Sequence, residues 1–243
     1  MIKKIEKEGK KITIIGTAHI SKKNAMQVKE IIEKELPDIV AIELDIERFR
    51  SMTSKDKKEA KLKDVFRAKK PFLFLVYYIL GKTQQKMAAR FGIKPGVEMM
   101  QAAVSAKNVN AKILLADRNA QFTINKLIKS LTFRDKLKLF FSGFNTKKEL
   151  GKDFNVDSLL KDVESKKQSE TVDKILKIFL KKHKTIKRVL IDERDKYMAF
   201  QIQQVLRKDE FNKIVIVVGA GHVPGLIKNL DNKKIDIKKI MNY

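Results

Sequence analysis

Ile214-Val215-Ile216-Val217-Val218 runs straight into Gly219-Ala220-Gly221-His222, and the opposite end of the chain repeats the pattern, with Ile12-Thr13-Ile14-Ile15 leading into Gly16-Thr17-Ala18-His19. A short β-branched run closed by glycine reads as a buried parallel strand that ends in a sharp turn. Each histidine then lies just past a strand's carboxyl end, the edge of an open α/β sheet where ligands bind. Two of only three histidines hold this equivalent place, which points to a paired imidazole site rather than to core packing.

Outward from these turns, Ser21 reads as a helix N-cap, and Ala25, Val28, Ile31, Ile32 and Leu36 recur at helical spacing up to Pro37. Ile39-Val40-Ala41-Ile42 reads as the next strand, ending at Glu43-Leu44-Asp45. A strand-helix-strand unit of this length joins parallel strands, which puts His19 and Glu43 at one sheet edge. A basic helical stretch over about 47–93 follows as an insertion over that edge. Pro95-Gly96 starts a helix carrying Glu98, Met99, Ala103 and Ala106, and it leads to the strand Lys112-Ile113-Leu114-Leu115-Ala116 and then Asp117-Arg118. The region 119–187 shows no convincing strand and reads as a second helical insertion. A helix from about Ile191 to Arg207 precedes the last strand, and Pro224 begins a short helix after it. Lys233 to Ile240 alternates weakly and predicts a polar edge strand. The expected fold is one α/β domain over 1–243, an open, largely parallel sheet flanked by helices with helical insertions at one edge.

A helix that precedes a parallel strand starts at the carboxyl edge of the sheet. Glu98 opens the helix before the third strand, and Glu193-Arg194 opens the helix before the last. These residues should therefore converge with His19, Glu43, Asp117, Arg118 and His222 on one rim, a chemically loaded site. Asp117-Arg118 and Glu193-Arg194 read equally well as structural ion pairs across that rim.

Lys+Arg number 54 against 29 Asp+Glu, a net charge of +25 on 243 residues. Such an excess attracts anionic surfaces, acidic lipid headgroups or acidic peptides among them. No nucleic-acid motif or aromatic-basic interleaving accompanies the lysine runs, so no specific nucleic-acid partner is expected. His183, flanked by lysines, reads as solvated. The absence of cysteine excludes disulfides and thiolate metal sites. Met1 to Lys11 holds no apolar stretch suited to a secretory signal, and the run Phe72 to Leu80 is too short to cross a bilayer. The expected place is cytoplasmic, or membrane-associated from the cytoplasmic side.

Several blocks resemble the TraB family, which includes bacterial pheromone-shutdown proteins and is similar to the Tiki proteases. They are Gly16-Thr17-Ala18-His19-Ile20-Ser21, Glu43-Leu44-Asp45 with Arg48, and Lys94-Pro95-Gly96-Val97-Glu98-Met99. Asp117-Arg118, Glu193-Arg194-Asp195 with Met198-Ala199, and Val218-Gly219-Ala220-Gly221-His222-Val223-Pro224-Gly225 continue the match in family order across nearly the whole chain. The resemblance implies a metal-dependent protease whose divalent ion is held by His19, His222 and Glu43. Many members of the family also carry a membrane-spanning C-terminal part, so a chain stopping at Tyr243 reads as the soluble portion of a longer protein.

The resulting expectation is a hydrolase acting on a peptide or protein. Zinc, manganese or cobalt all suit its nitrogen and oxygen donors. Glu98, or a carboxylate not bound to the metal, would serve as general base, and Arg118 or Arg194 would steady the oxyanion. Two rivals use the same rim: sequestration of a peptide or of a cofactor such as haem without turnover, and metal-free hydrolysis by a His-Glu pair.

Overall fold

The computed structural model describes residues 1–17, 22–54, 96–132, 134–135 and 183–242. The chain divides into two compact units, Met1–Phe122 with Arg194–Asn242, and Thr123–Glu193. Its strands are β1 (Ile2–Lys7), β2 (Lys10–Thr17), β3 (Ile39–Ile42), β4 (Lys112–Leu115) and β5 (Lys213–Gly219). The described helices are α1 (Lys22–Glu35), α2 (Ile46–Thr53), α3 (Val97–Asn108), α4 (Ala120–Ser130), α5 (Lys184–Lys187), α6 (Glu193–Leu206), α7 (Val223–Leu230) and α8 (Ile237–Met241), with one π-helical turn at Arg188–Asp192. Among them none is long and apolar enough to cross a membrane.

The first unit holds the sheet, in the order β1-β2-β5-β3-β4. β2, β5, β3 and β4 run parallel, and β1 pairs antiparallel with β2. The expected α/β fold with a largely parallel sheet is the fold observed. The strands feeding the two Gly-x-x-His turns are immediate neighbours, with Gly16 opposite Val218 and Thr17 opposite Gly219.

Alternation along each strand divides the core in two. Ile214, Ile216 and Val218 of β5 join Ile39 and Ala41 of β3 against α6 and α7, where Met198, Ala199, Ile202 and Leu226 lie. Val215 and Val217 join Val40 and Ile42 on the other face, against Val28 and Ile32 of α1 and Met99, Ala102 and Ala106 of α3. Strands buried on both faces read as continuous apolar runs, which is why β3 and β5 stand out in the sequence.

Two elements differ from expectation. Lys233 to Ile240 is not an edge strand: its second half is α8, capped by Asp236, whose side chain accepts from the Lys239 N–H, with Ile240 buried. The weak alternation of Ile235 and Ile237 is overridden by that cap and by the helical spacing of Ile237 and Ile240. The edge position belongs to β1, joined to β2 by a two-residue turn in which Glu8 (φ 52) and Gly9 (φ 72) both take left-handed backbone. This is the geometry of a tight hairpin, and glutamate is an unusual residue for it, so the turn gives little sequence signal.

In the second unit Leu127, Ile186 and Val189 are buried, and Glu193 pairs with Lys126 at 3.1 Å and Arg188 at 3.7 Å. The cap at Ser21, the stretch 55–95 that holds most of the first expected insertion, and residues 136–182 of the second lie outside the described residues.

Candidate functional site

The carboxyl ends of the parallel strands deliver the site. Just past β3, the Glu43 N–H bonds the Val217 carbonyl at 3.1 Å, and its Oε2 accepts the Gly219 N–H at 2.6 Å. The carboxylate is thus tied across the end of β5. Asp117, past β4, is fastened by its N–H to the Leu44 carbonyl at 3.3 Å. The Ala220 N–H donates to the Thr17 carbonyl at 2.8 Å, joining the two glycine turns, and the His222 N–H closes its own turn on Gly219 at 2.9 Å. Gly16 allows this approach: a Cβ there would meet Val223 Cγ2 at 2.8 Å and Ala220 Cα at 3.2 Å. Helix α6 starts at the same edge, as helices preceding parallel strands do, with Arg194 and Asp195 in its first turn.

Arg194 is the hub. Its Nε and Nη2 donate to Asp117 Oδ1 and Oδ2 at 3.0 and 2.6 Å, a bidentate pair. Nη2 also donates to Glu43 Oε1 at 2.5 Å, and Nη1 lies 3.2 Å from His222 Nε2. Burial alone would lower the pKa of this guanidinium, but the charges of Asp117 and Glu43 outweigh it and raise it. Arg48, half exposed on α2, reaches Asp117 Oδ2 at 3.5 Å, and its helix is capped by Asp45, which accepts from the Glu47 and Arg48 N–H groups.

His222 is held at both ring nitrogens. Nδ1 is 2.6 Å from Asp195 Oδ1, and Nε2 is 3.2 Å from Glu43 Oε1. Burial pushes its pKa down, yet the hydrogen bonds to Asp195 and Glu43 and the charge of Glu43 win against it and against Arg194, raising it to about 9. A histidine whose pKa is raised on folding adds stability that is complete below its unfolded value and is lost as pH climbs through the folded one. Chelator-treated protein is therefore expected to lose on the order of 2–3 kcal/mol of unfolding free energy between about pH 6.5 and 9 relative to His222→Gln. Urea titrations across that range check it, and parallel curves for the two proteins would refute it.

Asp195 can reach His222 because residue 225 is glycine. A Cβ at Gly225 would lie 1.8 Å from Asp195 Oδ2 and 2.7 Å from its Cγ. Gly225→Ala should drive the carboxylate off Nδ1 and cost about 1–3 kcal/mol, with loss of the hydrogen-bonded Nδ1–H proton signal in the NMR spectrum. Retention of that signal would show that the carboxylate has another way to stay.

The structure brings together four of the residues expected at the rim, Glu43, Asp117, Arg194 and His222, with Arg194 as the partner that the other three share. Glu98 is buried in the first turn of α3. The Arg118 guanidinium donates to the Ile240 carbonyl at 3.2 Å and lies over the Phe122 ring, 5.2 Å from its centroid. His19 lies outside the described residues. Asp195 carries a role that the sequence reading did not assign; a carboxylate in a helix's first turn looks like an ordinary dipole partner, and only the glycine at 225 could have signalled it.

A His222 ring fixed at Nδ1 by a carboxylate, with Nε2 turned to a second carboxylate, has the chemistry of a metal ligand or of a base. The Arg194 guanidinium touches both Glu43 Oε1 and His222 Nε2. Among the described residues no three His, Asp or Glu side chains form a group that could hold a metal; Glu43 and His222 offer two donors, and a third must come from elsewhere.

The sequence model of the TraB/PrgY/gumN family matches residues 1–239. Relatives include an uncharacterized protein of Methanocaldococcus jannaschii, 36% identical over 96% of this chain and 60% of its own length. TraB domain-containing proteins of Mus musculus and Homo sapiens are 26% and 27% identical over 98% of this chain and 67% of theirs. The chain thus spans three fifths of the archaeal relative.

Proposed function

The chain belongs to the TraB/PrgY/gumN family, and from that premise we propose that its sheet edge is the active site of a metal-dependent hydrolase that cleaves peptide bonds. The main support is the juxtaposition of His222 Nε2 and Glu43 Oε1 at 3.2 Å, with Nδ1 committed to Asp195. Further support comes from the pairing of β2 with β5. Thr17 lies opposite Gly219, and His19 follows Thr17 by two residues in the sequence.

His222, Glu43 and His19 would hold zinc, manganese or cobalt, which when bound supplies Lewis acidity and a more acidic water. Asp195 keeps the proton on Nδ1, so that the ring's second proton, once lost, would leave the Nε2 lone pair for ligation. The Gly219 N–H and Arg194 Nη2 both donate to the Glu43 carboxylate. Arg194 also lies beside these donors, where a positive group steadies negative charge developing on a carbonyl oxygen. Arg118, committed to Ile240 and Phe122, suits that role less. Glu98 remains the candidate base not engaged as a ligand. The +25 charge favours an acidic peptide, or one presented at an anionic membrane surface.

The test is a mixed peptide library incubated with chelated protein and then with added zinc, manganese or cobalt. Cleavage that appears only with metal supports the reading. Cleavage that survives exhaustive chelation overturns its metal part and selects metal-free chemistry at His222, a rival favoured by the presence of Arg194 on both donor atoms. Metal uptake with no cleavage selects sequestration.

A further inference from the structure

At the amino edge of the parallel strands, where β2 begins, the β1–β2 turn meets the ends of α6 and α7. A pocket of about 260 Å³ lies there, lined by Lys7, Glu8, Gln203, Arg207, Leu230 and Lys233. It shares no residue with the Glu43–His222 rim. The Lys10 ammonium donates to the Lys208 carbonyl, and Lys7 Nζ pairs with Asp231 at 2.5 Å, which fastens the turn to both helix ends. Gln203 is 8% exposed, and its Nε2 donates to the carbonyls of Asn229, Leu230 and Asn232 at 3.2, 3.2 and 3.0 Å. Those three acceptors fix which end of the amide is nitrogen and which is oxygen. Oε1 then has no hydrogen-bond partner among the described residues, and it is the acceptor that Gln203 presents to the pocket it lines. Arg207 and Lys233 supply positive charge, and neither forms an ion pair among the described residues. Basic side chains at helix ends often serve the dipole alone, but Gln203 already meets the last carbonyls of α7. We propose that this pocket binds a phosphate group that still carries a proton: Arg207 and Lys233 hold its charged oxygens, and its P–OH donates to Gln203 Oε1. A guanidinium fork matches phosphate oxygens. A phosphate monoester keeps such a proton around its second pKa of about 6, whereas sulfate has none to give. An anion without a donor would leave Oε1 unsatisfied and facing negative charge. Glu8, the one acid among the described lining residues, strengthens that preference.

The test titrates the full chain at about pH 6, where the phosphate proton is half retained, with inorganic phosphate, glycerol 3-phosphate and sulfate. Binding is read from the shifts of the Gln203 side-chain amide signals in the NMR spectrum. Co-sedimentation with phosphatidylcholine vesicles containing phosphatidic acid shows whether a lipid headgroup supplies the same group. Replacing Gln203 would release three carbonyls, so the comparison of anions stands in for that variant. Phosphate or its glycerol ester is expected to saturate the site and to bind at least about fivefold more tightly than sulfate, the effect of one hydrogen bond. Arg207→Gln and Lys233→Gln should each weaken binding by about tenfold. Lys29→Gln, which removes an exposed charge on α1, should change it less than about twofold. Vesicle binding that falls in Arg207→Gln and not in Lys29→Gln, with weak binding of the soluble anions, assigns the phosphate to a lipid headgroup; the reverse assigns it to a soluble ester. Equal affinity for phosphate and sulfate overturns the proposal, since charge alone would then explain the binding. Equal losses in Arg207→Gln and Lys29→Gln overturn it as a general charge effect. No saturation by either soluble phosphate below about 10 mM, together with no vesicle binding, overturns it outright.

Discussion

Glu43→Gln is expected to lower peptide turnover by about 10³-fold, the loss of roughly 4 kcal/mol of transition-state stabilisation, in a protein that still folds. Glutamine keeps the shape of the side chain and can still accept the Gly219 N–H that Oε2 now holds at 2.6 Å. It cannot keep the charge. Its amide nitrogen would face Arg194 Nη2 and His222 Nε2, where Oε1 now accepts at 2.5 Å and lies at 3.2 Å. A donor would thus meet a donor at the position where an ion needs an anionic ligand. The pKa of His222 should fall with the loss of Glu43's bond and charge. The stability cost of one unsatisfied buried group is about 1–3 kcal/mol. Turnover measured beside circular dichroism separates the two effects: a folded variant that works within about fivefold of the parent would remove Glu43 from the chemistry.

Asp117→Ala should be the most destabilising change at the rim, costing about 3–5 kcal/mol, because it strips a buried guanidinium of its bidentate partner. Asp117 receives Arg194 through two bonds, the Arg118 N–H at 2.8 Å and the longer approach of Arg48. Arg48→Ala removes only the half-exposed member of that set and should cost less than about 1 kcal/mol. Replacing both charges, as in Asp117→Ala with Arg194→Met, should recover part of the loss, since no isolated charge stays buried. Urea unfolding of the three variants measures this. A cost near that of Arg48→Ala would mean that solvent, and not Asp117, compensates Arg194.

The sheet was legible because β3 and β5 are buried on both faces, which forces uninterrupted β-branched runs, and because Gly16 and Gly219 mark where those runs end. The helices α1, α3 and α7 followed from periodicity and from Pro224 at the start of α7. What stayed hidden depends on contacts distant in sequence. The position of β5 between β2 and β3 leaves no local trace. The hairpin strand β1 is mostly exposed and lysine-rich, and α8 is too short for its period to outweigh a chance alternation. Arg194 was readable both as an ion-pair residue and as a participant in chemistry, and in the structure one guanidinium contacts Asp117 on one side and the Glu43-His222 pair on the other. Asp195 could not be assigned from its own surroundings in sequence, since its role exists only through His222 and the space left by Gly225.

The most direct measurement is the metal content of the purified chain beside His19→Ala and His222→Ala, by elemental analysis after loading and exhaustive desalting. The account predicts about one equivalent of a transition metal in the parent, as a single mononuclear site would hold, and a loss of at least about tenfold in each folded variant when a ligand is removed. Equal metal in all three proteins, or none in the parent, would contradict it.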